Sequence, residues 1–207
     1  MKKFIACFFG AILAMSATHS HASQLNTNFN TDSVKYIECV NGIKKDTIYM
    51  NSGSGVVINY NMVLTAMHVV YGAQCTIDHQ PVKVIAASKT LDVAVLSVKL
   101  PPGTPVAKFS CEGYQFGSSY TSYGFSSKNP IYEPVVRTRD VTFTNPNDHF
   151  PFIVQNLSGL HGLVLQGMSG GPIIDQNGVV IGINNGSDSH SVVGSRPLSE
   201  TPLCIQE

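Results

Sequence analysis

Most of this chain is written in short runs of β-branched and aromatic residues, closely spaced and broken by glycine, proline, asparagine and aspartate. The first runs are Val34–Val40, Thr47–Met50, Gly55–Asn59, Val63–Ala66, Val82–Ala86 and Asp92–Val98. The second half repeats the style with Tyr120–Phe125, Ile131–Phe143, Phe152–Gln155, Leu163–Leu165, Gly171–Ile174 and Val179–Asn184. Long helical periodicity is nearly absent. Short strands at this spacing close into barrels or stack as sandwiches, so the expected class is all-β. Asp175-Gln176-Asn177-Gly178 reads as a hairpin turn between two apolar strands. Leu100-Pro101-Pro102-Gly103 is a strong break that divides the pattern in two. Two β-rich domains are therefore expected, residues 23–108 and 109–207.

The N-terminus has a different character. Lys2 and Lys3 precede an apolar run from Phe4 to Met15, and Ser20-His21-Ala22 is a small-x-small site. Residues 1–22 thus read as a secretory signal peptide. The run falls short of the ~20 residues that span a bilayer. The expected product is secreted, to the periplasm or the cell exterior, with no stable membrane insertion after cleavage. Ser23–Ser33, polar and Asn-rich, reads as a flexible lead.

Cleavage also removes Cys7 and leaves Cys39, Cys75, Cys111 and Cys204. An even set in an exported chain suggests two disulfides. Three pairings are open. Cys39–Cys75 with Cys111–Cys204 is preferred only because each pair stays within one half of the chain. The absence of C-x-x-C spacing argues against a zinc site. Charge excludes another class: 13 Lys+Arg balance 13 Asp+Glu, and 13% of residues are charged, against roughly 25% in an average domain. Such a chain lacks the basic surface that nucleic-acid binding needs. Its 43% hydrophobic content is too high for a disordered chain.

Three segments carry chemistry. Val63-Leu64-Thr65-Ala66-Met67-His68 delivers a histidine at the end of a β-like run. Leu91-Asp92-Val93-Ala94-Val95-Leu96 opens an apolar strand with an aspartate. Gln166-Gly167-Met168-Ser169-Gly170-Gly171-Pro172 sets a serine in a glycine-rich turn before another apolar strand. Each alone has an ordinary explanation as a core histidine, a turn aspartate or a Gly-Ser loop. Together they are the residue types of serine nucleophile catalysis. A serine hydroxyl needs a base to take its proton, and an imidazole titrates near neutrality. A carboxylate can hold that imidazole in the required tautomer. Backbone N–H groups in the glycine-rich turn can meet a developing oxyanion.

On these segments the chain resembles the chymotrypsin-fold (trypsin-like) serine proteases. Thr65-Ala66-Met67-His68 is similar to that family's T-A-x-H segment, Asp92–Leu96 to its D-[IVL]-A-[VL]-L segment, and Gly167–Pro172 to its G-x-S-G-G-P segment. The order His, Asp, Ser matches too, and the likeness runs from about Val34 to Val193. The resemblance implies two six-stranded antiparallel β-barrels with the site in the cleft between them. It implies a triad of His68, Asp92 and Ser169, an oxyanion hole from the N–H groups of Gly167 and Ser169, a protein or peptide substrate, and no cofactor or metal. The strand around Ile183, Asn184 and Asn185 becomes the edge that receives the substrate backbone, and Leu163 and Val164 part of the primary specificity pocket.

Departures narrow the likeness. Met168 stands where digestive members carry an acid that pairs with a newly cut N-terminus. Val69 follows His68 where those members have a cysteine, and no I-V-G-G-like activation site occurs. The chain is thus more similar to bacterial HtrA-type and glutamyl-endopeptidase-type enzymes, and no PDZ domain is expected after Ser169. Glutamyl endopeptidases carry a histidine where this chain has Asn184, and no acid lies in Gly162–Gln166 to select Lys or Arg. A small or medium apolar residue before the scissile bond is the expectation.

Two rival enzyme classes fit less well. An α/β-hydrolase needs the order Ser, acid, His and a helix after the serine, whereas Pro172 and a strand follow here. A metal hydrolase would have to use Asp78-His79, Asp148-His149 or Asp188 with His190, none at two-histidine helical spacing. From a different class, a catalytically inactive protease-like binding module would keep the fold without the chemistry. Labelling of the serine by a fluorophosphonate discriminates it.

Overall fold

The computed structural model describes residues 28–45, 47–115, 117–126, 135–142, 158–161, 165–187 and 192–204. The candidate signal peptide, the run Phe152–Gln155, and Leu163 and Val164 lie outside the described residues.

Seven strands make the first sheet: β1 (Val34–Lys44), β2 (Thr47–Asn59), β3 (Met62–Thr65), β4 (Gln74–Ile77), β5 (Gln80–Pro81), β6 (Lys83–Ser88) and β7 (Val93–Ser97). They pair antiparallel in the order β5-β4-β1-β2-β3-β7-β6. Where six strands were expected there are seven, because one is split. Pro81 has no N–H to continue a ladder, and the next residue, Val82, turns to donate to the Cys75 carbonyl at 3.0 Å. β5 and β6 sit at opposite edges of the sheet yet are one residue apart in sequence. The sheet must therefore curl. A four-residue helix, α1 (Met67–Val70), follows β3 directly.

The second sheet is a closed barrel in the order β10-β13-β12-β11-β8-β9. Its strands are β8 (Ser119–Ser126), β9 (Val135–Thr142), β10 (Ser158–His161), β11 (Pro172–Ile174), β12 (Val180–Ser187) and β13 (Val192–Pro197). The Asp175–Gly178 turn joins β11 to β12, with the Asp175 carboxylate accepting from the N–H of Asn177 and Val179 at 2.9 Å each. The connection between the sheets runs through Ala107, which donates to Val57 in the first, and Phe109, which bridges to Val180 in the second.

One apolar core crosses from sheet to sheet. Ile37, Val56, Leu64 and Leu96 of the first join Tyr123, Ile174 and Ile183 of the second and Leu198 of the 3-10 turn after β13, all fully buried. Each such side chain contributes roughly 1.5–3 kcal/mol by burial, so the two sheets stabilise one another. A smaller cluster of Tyr120, Val141, Met168, Ile173 and Ile181 lies within the second barrel.

Cys39 pairs with Cys75 across β1 and β4, and Cys111 with Cys204. The lead before β1 departs from expectation in its described part. Asn30 caps a 3-10 turn at Thr31–Ser33. Phe29 is buried with its ring 4.9 Å from that of Tyr123. An aromatic ring inside a polar stretch found a place in the core, and its burial offsets part of the ordering cost of its neighbours.

Candidate active site

The three motif segments meet where the sheets touch. His68 lies in α1, immediately beyond β3, and Asp92 precedes β7, the neighbour of β3. The β3–β7 ladder, which pairs Thr65 with Ala94, thus brings the histidine and aspartate together. His68 Nδ1 lies 2.7 Å from Asp92 Oδ2, and the His68 backbone N–H donates to Asp92 Oδ1 at 2.9 Å. With Nδ1–H donated to the carboxylate, Nε2 is left as the accepting nitrogen. The His68 side chain is 40% exposed and that of Asp92 only 7%.

Asp92 adopts a left-handed backbone conformation, φ +51°. Aspartate tolerates this region better than most residues. Its carboxyl faces opposed influences. Burial pushes its pKa up, but hydrogen bonding and charge from His68, the Asn185 amide and the His68 backbone N–H outweigh burial and hold it below its ordinary value. Beside this pair, the exposed Lys89 ammonium donates to the Tyr71 hydroxyl at 2.6 Å and by that bond and its charge holds the phenol below its usual pKa.

Ser169 sits in a partly exposed turn between Gly167 and Gly170, whose φ angles are +93° and +81°. Only glycine takes these conformations without strain. The turn docks closely on the first sheet. A Cβ on Gly170 would run into Thr65 Oγ1, the Ser54 carbonyl and, at 2.8 Å, the Ala66 nitrogen. A Cβ on Gly53 would fall 2.5 Å from Val69 Cγ1 and 3.1 Å from the Ser169 carbonyl oxygen. The residue after His68 and the backbone of Ser169 therefore lie against the same glycine.

Ser54, absent from the sequence expectations, joins the two sheets here. It is fully buried. Its N–H donates to the Ser169 carbonyl at 2.7 Å, its hydroxyl donates to the Gly167 carbonyl at 2.8 Å, and that hydroxyl accepts from Phe125 N–H at 2.8 Å. Thr65 Oγ1 donates to its carbonyl at 2.7 Å. The available signal was the small polar stretch Asn51-Ser52-Gly53-Ser54-Gly55, which interrupts an otherwise apolar β2. The carbonyls of Gly167 and Ser169 are engaged by Ser54. Among the described residues no hydrogen bond engages either N–H.

The residues expected to meet substrate divide differently. Ile183 and Asn184 are fully buried and Asn185 is 3% exposed. Ile183 pairs with Pro172 on one side and Arg196 on the other, so it lies inside the barrel wall. Asn184 hydrogen-bonds the serine turn, and Asn185 the aspartate. The Asn184 carboxamide and the Asn185 Nδ2 are spent on protein groups behind the site, whereas Asn185 Oδ1 is buried with no hydrogen-bond partner among the described residues.

Known proteins align with this geometry. The profile of the trypsin-like peptidase domain matches residues 53–183, more than half of the chain. The serine protease Rv3671c of Mycobacterium tuberculosis is 30% identical over 141 residues, covering 63% of this chain and 35% of that protein. The chain thus spans about a third of the length of this curated relative. The crystal structure of Rv3671c protease in its inactive form superposes with a TM-score of 0.60 at 23% identity, covering 82% of this chain and 85% of that one. An HtrA-type protease, AlgW, with a tripeptide gives 0.64 at 19% identity, covering 83% and 58%. Both superpositions establish the chymotrypsin-like fold. From the profile match over residues 53–183, the chain belongs to the trypsin-like peptidase domain family.

Proposed function

We propose that this chain is a secreted serine endopeptidase that cleaves protein or peptide substrates through a Ser169–His68–Asp92 triad and an acyl-enzyme. The observation that carries this reading is the buried Asp92 carboxylate bonded at 2.7 Å to a half-exposed His68, with the next residue, Val69, and the Ser169 carbonyl lying against the same glycine, Gly53. The relatives named serine proteases support it.

In this reading His68 Nε2 takes the Ser169 Oγ proton as that oxygen attacks the scissile carbonyl. Asp92 holds the ring and stabilises the imidazolium that forms. The N–H groups of Gly167 and Ser169 receive the negative oxygen of the tetrahedral intermediate. His68 then gives its proton to the leaving amine, and the acyl group stays on Ser169 until water, deprotonated by the same imidazole, releases it. Nothing in this sequence of steps calls for a cofactor.

The reading extends to organisation and export. Residues 1–22 direct secretion, 23–108 carry the base and acid, and 109–207 carry the nucleophile. The paired cysteines suit an oxidising compartment. No helix among the described residues is long and apolar enough to cross a membrane. The test is peptide-library cleavage by purified protein beginning at Ser23, beside Ser169→Ala, His68→Ala and Asp92→Asn. Each variant should fold and lose at least about 10³-fold in kcat/KM. Undiminished cleavage by Ser169→Ala would refute the assignment.

A further inference from the structure

The serine turn has no regular secondary structure, so individual hydrogen bonds must set each of its peptide planes. Ser54 holds it from the first sheet. From its own barrel, Asn184 alone among the described residues does so with both main chain and side chain. Its carbonyl accepts from Gly170 N–H at 2.7 Å, and its N–H donates to the Gly171 carbonyl at 2.9 Å. Its carboxamide Nδ2 is shared among the carbonyls of Gly171 at 3.1 Å, Tyr123 at 3.3 Å and Met168 at 3.4 Å. Its Oδ1 accepts from the Ser122 hydroxyl at 3.0 Å. Asn184 and Ser122 are both fully buried.

The Met168 carbonyl matters most. It belongs to the same planar peptide as the Ser169 N–H, and in a trans peptide the two point in opposite directions. Drawing the Met168 oxygen inward, to Asn184 Nδ2 and to Gly171 N–H at 2.9 Å, turns the Ser169 N–H outward. Met168 is itself buried and uncharged, so it cannot fix the turn by an ion pair. Few side chains serve this environment. Three carbonyls require N–H donors, and the Ser122 hydroxyl requires an acceptor. Aspartate offers no N–H, and leucine would remove all four of these side-chain hydrogen bonds.

We infer that Asn184 is a positioning residue for the oxyanion hole, its buried carboxamide fixing the Met168–Ser169 peptide so that the Ser169 N–H faces the substrate carbonyl. This rests on Ser169 being the nucleophile. Asn184 touches no reacting atom and acts through the turn.

The test measures kcat and KM separately for wild type, Asn184→Leu, Asn184→Asp and Ser122→Ala, with thermal unfolding as the fold control. Ser122→Ala removes the anchor of the carboxamide without touching the turn, which keeps the test decisive if the Asn184 variants unfold. Folded Asn184 variants should lose about 10²-fold in kcat, the scale of one oxyanion donor, with KM within about threefold. Ser122→Ala should lose about tenfold in kcat, again without a matching change in KM. Wild-type kcat in Ser122→Ala and in any folded Asn184 variant, or a loss confined to KM, would overturn the inference. Ser169→Ala run alongside separates the two failures: wild-type cleavage that survives this substitution refutes the nucleophile and the inference together.

Discussion

Asn185 reaches from β12 to hold Asp92 at the start of β7. Its Nδ2 donates to the Asp92 carboxylate and to the Asp92 carbonyl, both at 2.8 Å, across 93 residues of sequence. One amide thus fixes both the side chain and the backbone of the residue that orients His68. Asn185→Ala removes both bonds and leaves a buried carboxylate short of a donor. It should lower stability by about 1.5–3 kcal/mol, the range for hydrogen bonds to charged groups. Denaturant titration checks this. The activity loss should fall on kcat more than on KM, because Asn185 acts through Asp92.

The depressed Asp92 carboxyl makes a signed prediction for acid stability. A carboxyl held lower in the folded than in the unfolded chain stabilises the fold fully above its ordinary value of about 3.9. That contribution disappears as pH falls through the folded value. Asp92→Asn cannot titrate. Its unfolding free energy should therefore change less steeply with pH below about 4 than that of the wild type. Parallel slopes for the two proteins in that window would refute the linkage.

Two glycines with similar backbone angles should respond very differently to alanine. Gly72, φ +69°, has open space where a Cβ would stand. Gly72→Ala should cost only the left-handed conformation, about 1–2 kcal/mol, with activity retained. Gly170, φ +81°, has backbone atoms of Ser54 and Ala66 in the way. Gly170→Ala must separate the serine turn from the first sheet. It should cost well over the roughly 1–3 kcal/mol of backbone strain alone and abolish cleavage. Unfolding curves and kinetic assays on the two variants measure the contrast.

What the local sequence reveals, and what it hides, follows from how far apart the partners lie. The segments holding His68, Asp92 and Ser169 stood out in the sequence because the proposed chemistry demands particular residue types in particular turns, and each turn is local. The all-β class was legible from residue runs for the same reason. Ser54 was not. Its role depends on Gly167, Ser169 and Phe125, and only a Gly-Ser interruption of β2 hints at it. Asn184 and Asn185 were noticed as part of a strand, but their burial is set by contacts with β8, the serine turn and Asp92. Strands β10 and β13 were missed as runs because glycine and serine dilute their apolar pattern. The split of β5 from β6 depends on one proline and one turned peptide.

Phe29 shows the same lesson in the lead. Its ring packs on Tyr123, whose carbonyl accepts from Asn184. Phe29→Ala should destabilise the fold by about 3–5 kcal/mol, as for other buried aromatic truncations. A midpoint of unfolding unchanged from wild type would mean that the lead does not stabilise the barrel.

The account stands on Ser169 being made nucleophilic by His68 and Asp92. The most direct measurement is labelling of the purified, folded protein by a fluorophosphonate, with the modified residue located by mass spectrometry. The account predicts one label per chain on Ser169, none on Ser169→Ala, and labelling slowed by at least about 10³-fold in His68→Ala. A folded wild type that takes no label, or a Ser169→Ala variant that labels as fast as the wild type, would contradict it.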